Sequence, residues 1–265
     1  VGVAFAIGYI GDLFHGSQIQ PDVRTVQREL QVALAGGGVA TDTKVRISSR
    51  TDAGVSARMN VAVCELPAPA WKKMGEAGFL RSINDNLDDV VVWAATEVEP
   101  GWNSRLAVRR IYRYRLEALR WWPSKVDEEK LQKVLACFEG EHDFTGFCKM
   151  EDDRTPMRRI ESCRPWRVEG RVVGFEVAGE SFLWNQVRRM ACSVAAVMTG
   201  ASELVELEEA LANGTTPKSS GLSPPSWLTL WKIEHDGVSF AAPEVDPFKT
   251  LSPPKDDMWE REHKM

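Results

Sequence analysis

The chain has 265 residues, of which 43% are hydrophobic and 27% are charged, and its formal net charge is −5. This composition is typical of a soluble globule with one large domain or two closely packed domains. No apolar run approaches the roughly 20 residues that a membrane span requires. Residues 1–10 alternate in hydrophobicity and lack the apolar block of a secretory signal. We therefore expect neither membrane association nor secretion.

The first half of the chain is predicted to mix strands and helices. Large apolar residues alternate with small ones over residues 3–9, which is the period of a strand. Apolar residues then recur at helical spacing from Val23 to Leu34, and the glycines at 36–38 end that helix. The elements predicted after it are strands over 45–48 and 60–66, a helix over 71–81 and a strand over 90–98.

The second half repeats this mixture of elements. Tyr112 and Tyr114 share one face of a predicted strand, and Asp127 is the predicted N-cap of a helix that runs to Phe138. Gly140 is predicted to stop this helix. The remaining predicted elements are a strand over 172–178, a long buried helix over 183–197, a shorter helix over 204–211 and a closing strand over 229–233.

The predicted connections between strands are mostly short turns. This favours an α+β fold with mainly antiparallel sheets over a doubly wound parallel sheet. A division is predicted near Asn103, just after Pro100 and Gly101. The predicted domains are therefore residues 1–103 and 104–240, followed by an irregular tail over 241–265, where prolines and charges show no period.

The cysteines and histidines are scattered along the chain. Five cysteines and four histidines occur without the close pairing of a metal site, so no structural or catalytic metal is expected. An odd, dispersed set of cysteines is typical of free thiols in a reducing compartment. These features predict a cytoplasmic protein.

The distribution of charge is uneven and matters more than its sum. Residues 105–200 carry 18 basic and 14 acidic side chains, whereas the segments before and after are net negative. Twelve of the arginines in this middle segment lie between residues 105 and 171: Arg105, Arg109, Arg110, Arg113, Arg115, Arg120, Arg154, Arg158, Arg159, Arg164, Arg167 and Arg171. A local basic face attracts phosphates even on an acidic protein. The alternative is ordinary salt bridging of these arginines to nearby acids.

A polar stretch over residues 48–57 lies between two short apolar runs and carries Arg50 and Asp52. Gly54 gives its backbone conformational freedom. A carboxylate on such a tight connection is a candidate nucleophile if arginines elsewhere keep it ionised. In the alternative interpretation, Asp52 makes an Asx-type turn and only bonds nearby backbone.

The stretch from Arg50 to Ala57 resembles the signature of the tRNA pseudouridine synthase A family. Ser49 and Ser56 stand where that family usually has Gly and His, and neither change affects the Asp. Other stretches resemble further family motifs and occur in the family's order at 14–20, 24–30, 81–87, 109–114, 140–144, 182–190 and 221–230. One such stretch is weak support, but the ordered series indicates membership of the family.

The resemblance implies two ferredoxin-like halves whose sheets join around a central active-site cleft. It also implies a homodimer that isomerises uridine to pseudouridine in the anticodon stem-loop of tRNA, usually at positions 38 to 40. The reaction breaks an N-glycosidic bond and rejoins the ring through carbon. No redox step is involved, so no cofactor is expected. The target base must be flipped out of its stack, which costs a few kcal/mol.

The resemblance also assigns roles to individual residues. Asp52 corresponds to the essential carboxylate, and Arg188 corresponds to the arginine that pairs with it and keeps it ionised. Tyr112 corresponds to a pocket tyrosine that stacks on uracil and assists proton transfer. Arg50 corresponds to an arginine that helps hold the flipped state, and Leu228 to an apolar wall of the pocket.

Several alternatives remain open. Tyr114 and Arg189 are lesser candidates for the roles of their neighbours Tyr112 and Arg188. Trp102 and Trp184 have the chemistry to stack on bases, although core or dimer packing is the favoured interpretation. The rival functions are a pseudouridine synthase on another RNA, since Ser17 stands where the family often has Trp, and a non-catalytic RNA-binding protein. A glycosidase is disfavoured because it would need a second flanking carboxylate.

Overall fold

A computed structural model describes residues 1–39, 43–151, 154–218 and 220–241 of the chain. The chain forms two compact units. Unit 1 contains Val1–Val108 and the chain from Thr229 onward, and unit 2 contains Arg109–Leu228. The second unit is therefore inserted between the two parts of the first.

The sheet of unit 1 is built around strand β1. Its strands are β1 (Gly2–Tyr9), β2 (Arg46–Ile47), β3 (Ser56–Glu65), β4 (Val90–Val98) and β9 (Leu228–His235). Strand β1 pairs antiparallel with both β3 and β4, and short β2 pairs antiparallel with β3. Strand β9 pairs parallel with β3 through Ser56 opposite Thr229 and Ala57 opposite Leu230. Every residue of β1 is buried, and a strand that is covered on both faces consists mainly of small and apolar residues.

Two helices belong to unit 1. Helix α1 (Val26–Gly36) starts three residues later than predicted, because Thr25 is extended and the first helical N–H groups bond to the carbonyls of Gly16 and Ser17. Helix α2 (Ala68–Asn84) is broken at Gly75, whose φ of 61° and ψ of −173° are not helical. Helix α2 packs on β4 and α1.

The sheet of unit 2 has the order β5 (Ala107–Tyr114), β8 (Arg171–Gly179), β7 (Met157–Val168) and β6 (Gly140–Asp143). All three pairings are antiparallel. The sequence predicted neither β6 nor β7. In β7 a register shift between Ile160 and Ser162 breaks the alternation on which a strand prediction depends. Gly140 does not stop the preceding helix directly, since it is the first residue of β6.

The helices of unit 2 are α3 (Glu128–Ala136), α4 (Gln186–Thr199) and α5 (Leu204–Asn213). Asp127 is the N-cap of α3, as predicted, and its carboxylate accepts a hydrogen bond from the backbone N–H of Lys130 at 3.0 Å. Helix α4 ends at Gly200, which takes the left-handed conformation with φ of 77°. Helix α3 packs on β7 and α4.

The α+β class with mainly antiparallel sheets is confirmed. The predicted division of the chain into domains 1–103 and 104–240 stays a prediction. The predicted tail over 241–265 lies outside the described residues except for Ala241. In the part of the chain that the structure describes, no helix is both long and apolar enough to cross a membrane.

Candidate active site

The loop that carries Arg50 and Asp52 connects β2 to β3 in unit 1. Arg50 is exposed, Thr51 is buried and Asp52 is half-buried. The backbone carbonyl of Asp52 accepts a hydrogen bond from the N–H of Val55 at 3.1 Å, and Gly54 has a positive φ of 81°. This tight turn presents Asp52 from a fixed backbone. Its neighbours on both sides are held by side chains from elsewhere in unit 1.

Thr51 is held by three hydrogen bonds. Its backbone N–H donates to Oγ of Ser17 at 2.8 Å, and its carbonyl accepts from the N–H of Ser17 at 3.1 Å. Its hydroxyl lies 2.9 Å from the hydroxyl of Tyr9. Ser17 and Tyr9 are both 1% exposed. The residue directly before Asp52 is therefore fixed by buried groups from β1 and from the segment that leads into α1.

Ser49, two residues before Thr51, is held by the side chain of Asn60 on β3. The Asn60 carboxamide accepts from the Ser49 N–H at 3.3 Å and donates to the Ser49 carbonyl at 2.8 Å. It also donates to the Tyr9 hydroxyl at 3.2 Å. Asn60 is fully buried, so water does not compete for these hydrogen bonds. The N–H and the carbonyl of Ser49 both have a partner.

The far side of the loop is held against Gly11. The Gly11 N–H donates to Oγ of Ser56 at 3.0 Å. A Cβ at position 11 would come within 2.2 Å of the carbonyl carbon of Val55, so only glycine fits this close approach. Ser56, which replaces the family's usual His, thus bonds to the neighbouring backbone.

Tyr112 lies on β5 in unit 2, opposite Val177 of β8. It is 7% exposed, and its ring meets Phe182 edge-on with 5.1 Å between the centroids. Tyr114, the lesser candidate, is fully buried and donates from its hydroxyl to the carbonyl of Pro224 at 3.0 Å. Burial raises the pKa of Tyr114, so its hydroxyl is suited to packing and hydrogen bonding more than to proton transfer.

Arg188 lies in the first turn of α4 and is half-buried. Its Nε donates to the carbonyl of Ser223 at 2.7 Å, and its Nη1 donates to Oδ1 of Asn185 at 3.3 Å. The backbone carbonyl of Arg188 also accepts a hydrogen bond from the Ser223 N–H at 3.4 Å. Arg188 is therefore joined to the segment that leads to Leu228, which is 6% exposed at the start of β9.

The segment 223–228 contacts Arg188, the lesser candidate Tyr114, and Arg115. Arg188 bonds to Ser223, and Tyr114 on β5 bonds to Pro224. The N–H of Arg115 donates to the carbonyl of Trp227 at 3.0 Å. Arg50 and Asp52, in contrast, share the loop of unit 1.

Many of the arginines in the middle of the chain form ion pairs with nearby acids. The pairs are Arg109–Glu161, Arg113–Glu176, Arg115–Glu117, Arg154–Glu151, Arg167–Glu128 and Arg171–Glu117. At least six of the twelve arginines are thereby partly neutralised. The twelve arginines therefore do not form one continuous face of uncompensated positive charge.

Across the described ranges, no three His, Cys, Asp or Glu side chains lie together as a metal site requires. The five cysteines are free thiols. Burial raises the pKa of Cys64 to about 12, which makes it a poor nucleophile.

Sequence analysis missed the residues that hold the Asp52 loop. Tyr9 was interpreted only as part of the apolar pattern of β1, and Asn60 sits in an otherwise apolar strand. A polar side chain inside such a strand is a signal, because a buried amide must find partners. Ser17 was noted only as a departure from the family pattern, and it turns out to bond to Thr51.

Comparisons with known proteins identify the family. Residues 134–236 match the family described as tRNA pseudouridine synthase. The chain is 33% identical over 250 residues to the tRNA pseudouridine synthase A of Thermococcus sibiricus, which covers 93% of this chain and 88% of the relative. It is 34% identical over 241 residues to the enzyme of the same name from Pyrococcus furiosus, which covers 90% of this chain and 85% of the relative.

The chain therefore belongs to the tRNA pseudouridine synthase A family and is an isomerase. Its likeness to a solved archaeal box H/ACA sRNP Nop10-Cbf5 complex is distant, with a TM-score of 0.34 and 15% identity. That likeness covers 73% of this chain and 43% of the other chain, and it is too weak to bear on function.

Proposed function

We propose that this enzyme isomerises uridine to pseudouridine in the anticodon stem-loop of tRNA, at positions 38 to 40, with Asp52 as the essential carboxylate. The observation that carries the proposal is the loop of unit 1. Asp52 is half-buried, and the residue before it is held by three hydrogen bonds from Ser17 and Tyr9. A catalytic carboxylate needs such a fixed backbone, because small displacements of a reacting group slow the chemistry greatly.

The reaction requires no external reactant. The bond from the ribose carbon C1′ to N1 of uracil breaks and C1′ bonds to C5 instead, while C5 loses its proton and N1 takes one up. Atoms and electrons balance within the uridine, so the proposal includes no cofactor. Arg50, Tyr112, Arg188 and Leu228 are proposed as substrate-binding residues.

The test is pseudouridine mapping on unmodified tRNA transcripts with the wild-type enzyme and two variants. Asp52→Asn keeps the size and removes the charge, and we expect the rate to fall by roughly 10³-fold or more. The control is Asp88→Asn, which neutralises an exposed carboxylate in the same unit and should leave the rate unchanged. Measured activity of Asp52→Asn close to that of the wild type would refute the role of Asp52.

The same assay separates the alternatives for the substrate. Signal in the anticodon arm supports the proposed target. Signal elsewhere in tRNA, or only in total cellular RNA, would identify a synthase with another target. A folded wild-type protein that binds RNA and modifies none of it would indicate a binding function. Binding should weaken steeply with salt, since phosphate contacts release counterions.

We also propose that the enzyme is a cytoplasmic homodimer. Its free cysteines suit a reducing compartment. The dimer is proposed from the family resemblance, and light scattering tests it directly. The chain has a mass of 29.6 kDa, so a dimer would show twice this value, whereas a mass equal to that of one chain would reject it.

A further inference from the structure

Lys149 and Trp184 lie side by side in unit 2, and Arg158 and Arg189 both act electrostatically on Cys148, the residue before Lys149. These four residues are called the Trp184 patch. Core or dimer packing was the favoured interpretation of Trp184, but 41% of this residue is exposed, so it is not a core residue. The ammonium group of Lys149 lies over its ring, 4.0 Å from the centroid. The backbone N–H of Lys149 also donates to the carbonyl of Trp184 at 2.9 Å, which fixes the two residues side by side.

The two arginines of the patch have unused hydrogen-bonding capacity. In Arg158, Nη1 donates to the carbonyls of Thr155 at 2.8 Å and Met157 at 2.6 Å. The Nε atoms of Arg158 and Arg189 are buried and have no hydrogen-bond partner among the described residues. A buried N–H that lacks a partner is rare, and a bound group that accepts a hydrogen bond would satisfy it.

Both arginines influence the same thiol, that of Cys148, which directly precedes Lys149 in the chain. Burial raises the pKa of Cys148, and the charges of Arg189 and Arg158 act against that rise. Burial lowers the pKa of Arg158, and the positive charge of Arg154 lowers it further. The charge of an anion bound here would act in the opposite direction and raise the pKa of Arg158.

The acids that face the patch are partly occupied by other partners. Glu151 pairs with Arg154 at 3.3 Å. The carboxylate of Asp143 accepts hydrogen bonds from the backbone and the hydroxyl of Thr145 at 2.8 and 2.6 Å. Glu180 raises the pKa of Arg158, but its effect is smaller than those of burial and Arg154, which lower it. Of these acids, Glu151 is thus compensated by Arg154 and not by the basic groups of the patch.

We propose that the Trp184 patch binds an unpaired nucleotide of the RNA substrate, with the base stacked on the indole and the flanking phosphates on the arginine side chains. The proposal rests on the proposed function, because it takes RNA as the substrate. Aromatic rings beside basic groups are the recurring means of holding unpaired nucleotides. Guanidinium groups suit phosphate oxygens because they donate several hydrogen bonds in one plane.

The position of the patch connects it to the candidate site of unit 2. Trp184 is four residues before Arg188 in the chain, and Asn185 between them bonds to the Arg188 side chain at 3.3 Å. Asn185 takes the left-handed conformation with φ of 66°, so the turn into α4 has a defined shape. A nucleotide held on Trp184 would thus be bound beside the turn that carries Arg188.

The first test compares Trp184→Ala, Trp184→Phe and the control Trp121→Ala in the full enzyme. Trp121 is 57% exposed elsewhere in unit 2. We expect Trp184→Ala to weaken binding of a tRNA transcript roughly tenfold, Trp184→Phe to restore most of it, and Trp121→Ala to have no effect. The single-turnover rate at saturating tRNA should be the same in all three.

The second test measures how binding depends on salt. Arg158→Gln and Arg189→Gln should each reduce the slope of log affinity against log salt by about one. Arg120→Gln, at an exposed arginine next to Trp121, is the matched control and should leave the slope unchanged.

The outcomes separate this proposal from the proposed function. If the wild type forms pseudouridine but Trp184→Ala binds tRNA as tightly as the wild type does, the patch proposal is overturned. An equal loss of affinity in Trp121→Ala overturns the patch proposal too. It is also overturned if Trp184→Ala lowers only the single-turnover rate and leaves the affinity for tRNA unchanged. If the wild type forms no pseudouridine, the proposed function fails, whatever the variants bind.

Discussion

Tyr9→Phe tests whether buried groups beneath the loop control the chemistry of Asp52. The substitution keeps the ring and removes only the hydroxyl, which lies 2.9 Å from the Thr51 hydroxyl and accepts from Asn60 at 3.2 Å. Tyr9 is 1% exposed, so water cannot replace the lost group. Thr51 directly precedes Asp52, and any relaxation there should reach the carboxylate.

The structure sets the size of the expected effect. The Thr51 hydroxyl loses its Tyr9 partner, whereas Asn60 still donates to the carbonyl of Ser49 at 2.8 Å. One buried polar group left unsatisfied costs about 2 kcal/mol. For a chain of this size, such a loss lowers the Tm by about 5 °C. Because the loop gains freedom, we expect kcat to fall roughly tenfold while KM for tRNA changes by less than about twofold.

Urea unfolding and steady-state kinetics well below the Tm measure the two effects. The cycle of Tyr9→Phe, Thr51→Val and the double variant should give a coupling free energy of about 1 kcal/mol between the two hydroxyls. Asp127→Ala is the control for stability alone, since it weakens a helix cap in unit 2 and should leave kcat unchanged. No coupling between Tyr9 and Thr51, or a stability loss with unchanged kcat, would refute the reasoning.

Three further predictions concern the fold. Asp127→Ala removes an N-cap acceptor and should lower the free energy of unfolding by about 1 kcal/mol, which urea unfolding measures. Gly174→Ala would place a Cβ 1.9 Å from the carbonyl oxygen of Tyr114, so we expect a loss above about 3 kcal/mol or no folded protein; a normal melting curve would contradict this close approach. Burial raises the pKa values of Cys64 and Cys163, so both should resist iodoacetamide at pH 8 until urea is added, as peptide mass spectrometry can show.

The sequence predicts elements well where one period dominates. Strand β1 alternates large and small residues, and α3 combines a cap at Asp127 with a clear apolar stripe. Strand β7 escaped prediction because a register shift puts the buried residues Ile160 and Cys163 three positions apart. The start of α1 was placed too early, because apolar Val23 fits the helical period but the helix begins only at Val26.

The candidate site is predictable only in part, for a physical reason. A motif shows which residues are present, so it draws attention to Asp52 and its neighbours. The partners that hold them come from distant positions: Tyr9 and Asn60 meet because β1 pairs with β3, and Ser17 comes from the segment that leads into α1. Exposure of Trp184 is likewise set by tertiary packing, which the composition of its segment does not reveal.

The insertion of unit 2 into unit 1 has a consequence for the order of folding during synthesis. Strand β9 pairs with β3 directly after the Asp52 loop, and His235 lies 3.1 Å from the hydroxyl of Ser48. Both contacts can form only after β9, near the end of the described chain, has been synthesised. On the ribosome, the Asp52 loop therefore emerges early and acquires its last supports late, after all of unit 2 has been made. Until β9 has been made, the edge of β3 beside the Asp52 loop is unpaired, so this loop is completed only after the chain has passed through the whole of unit 2.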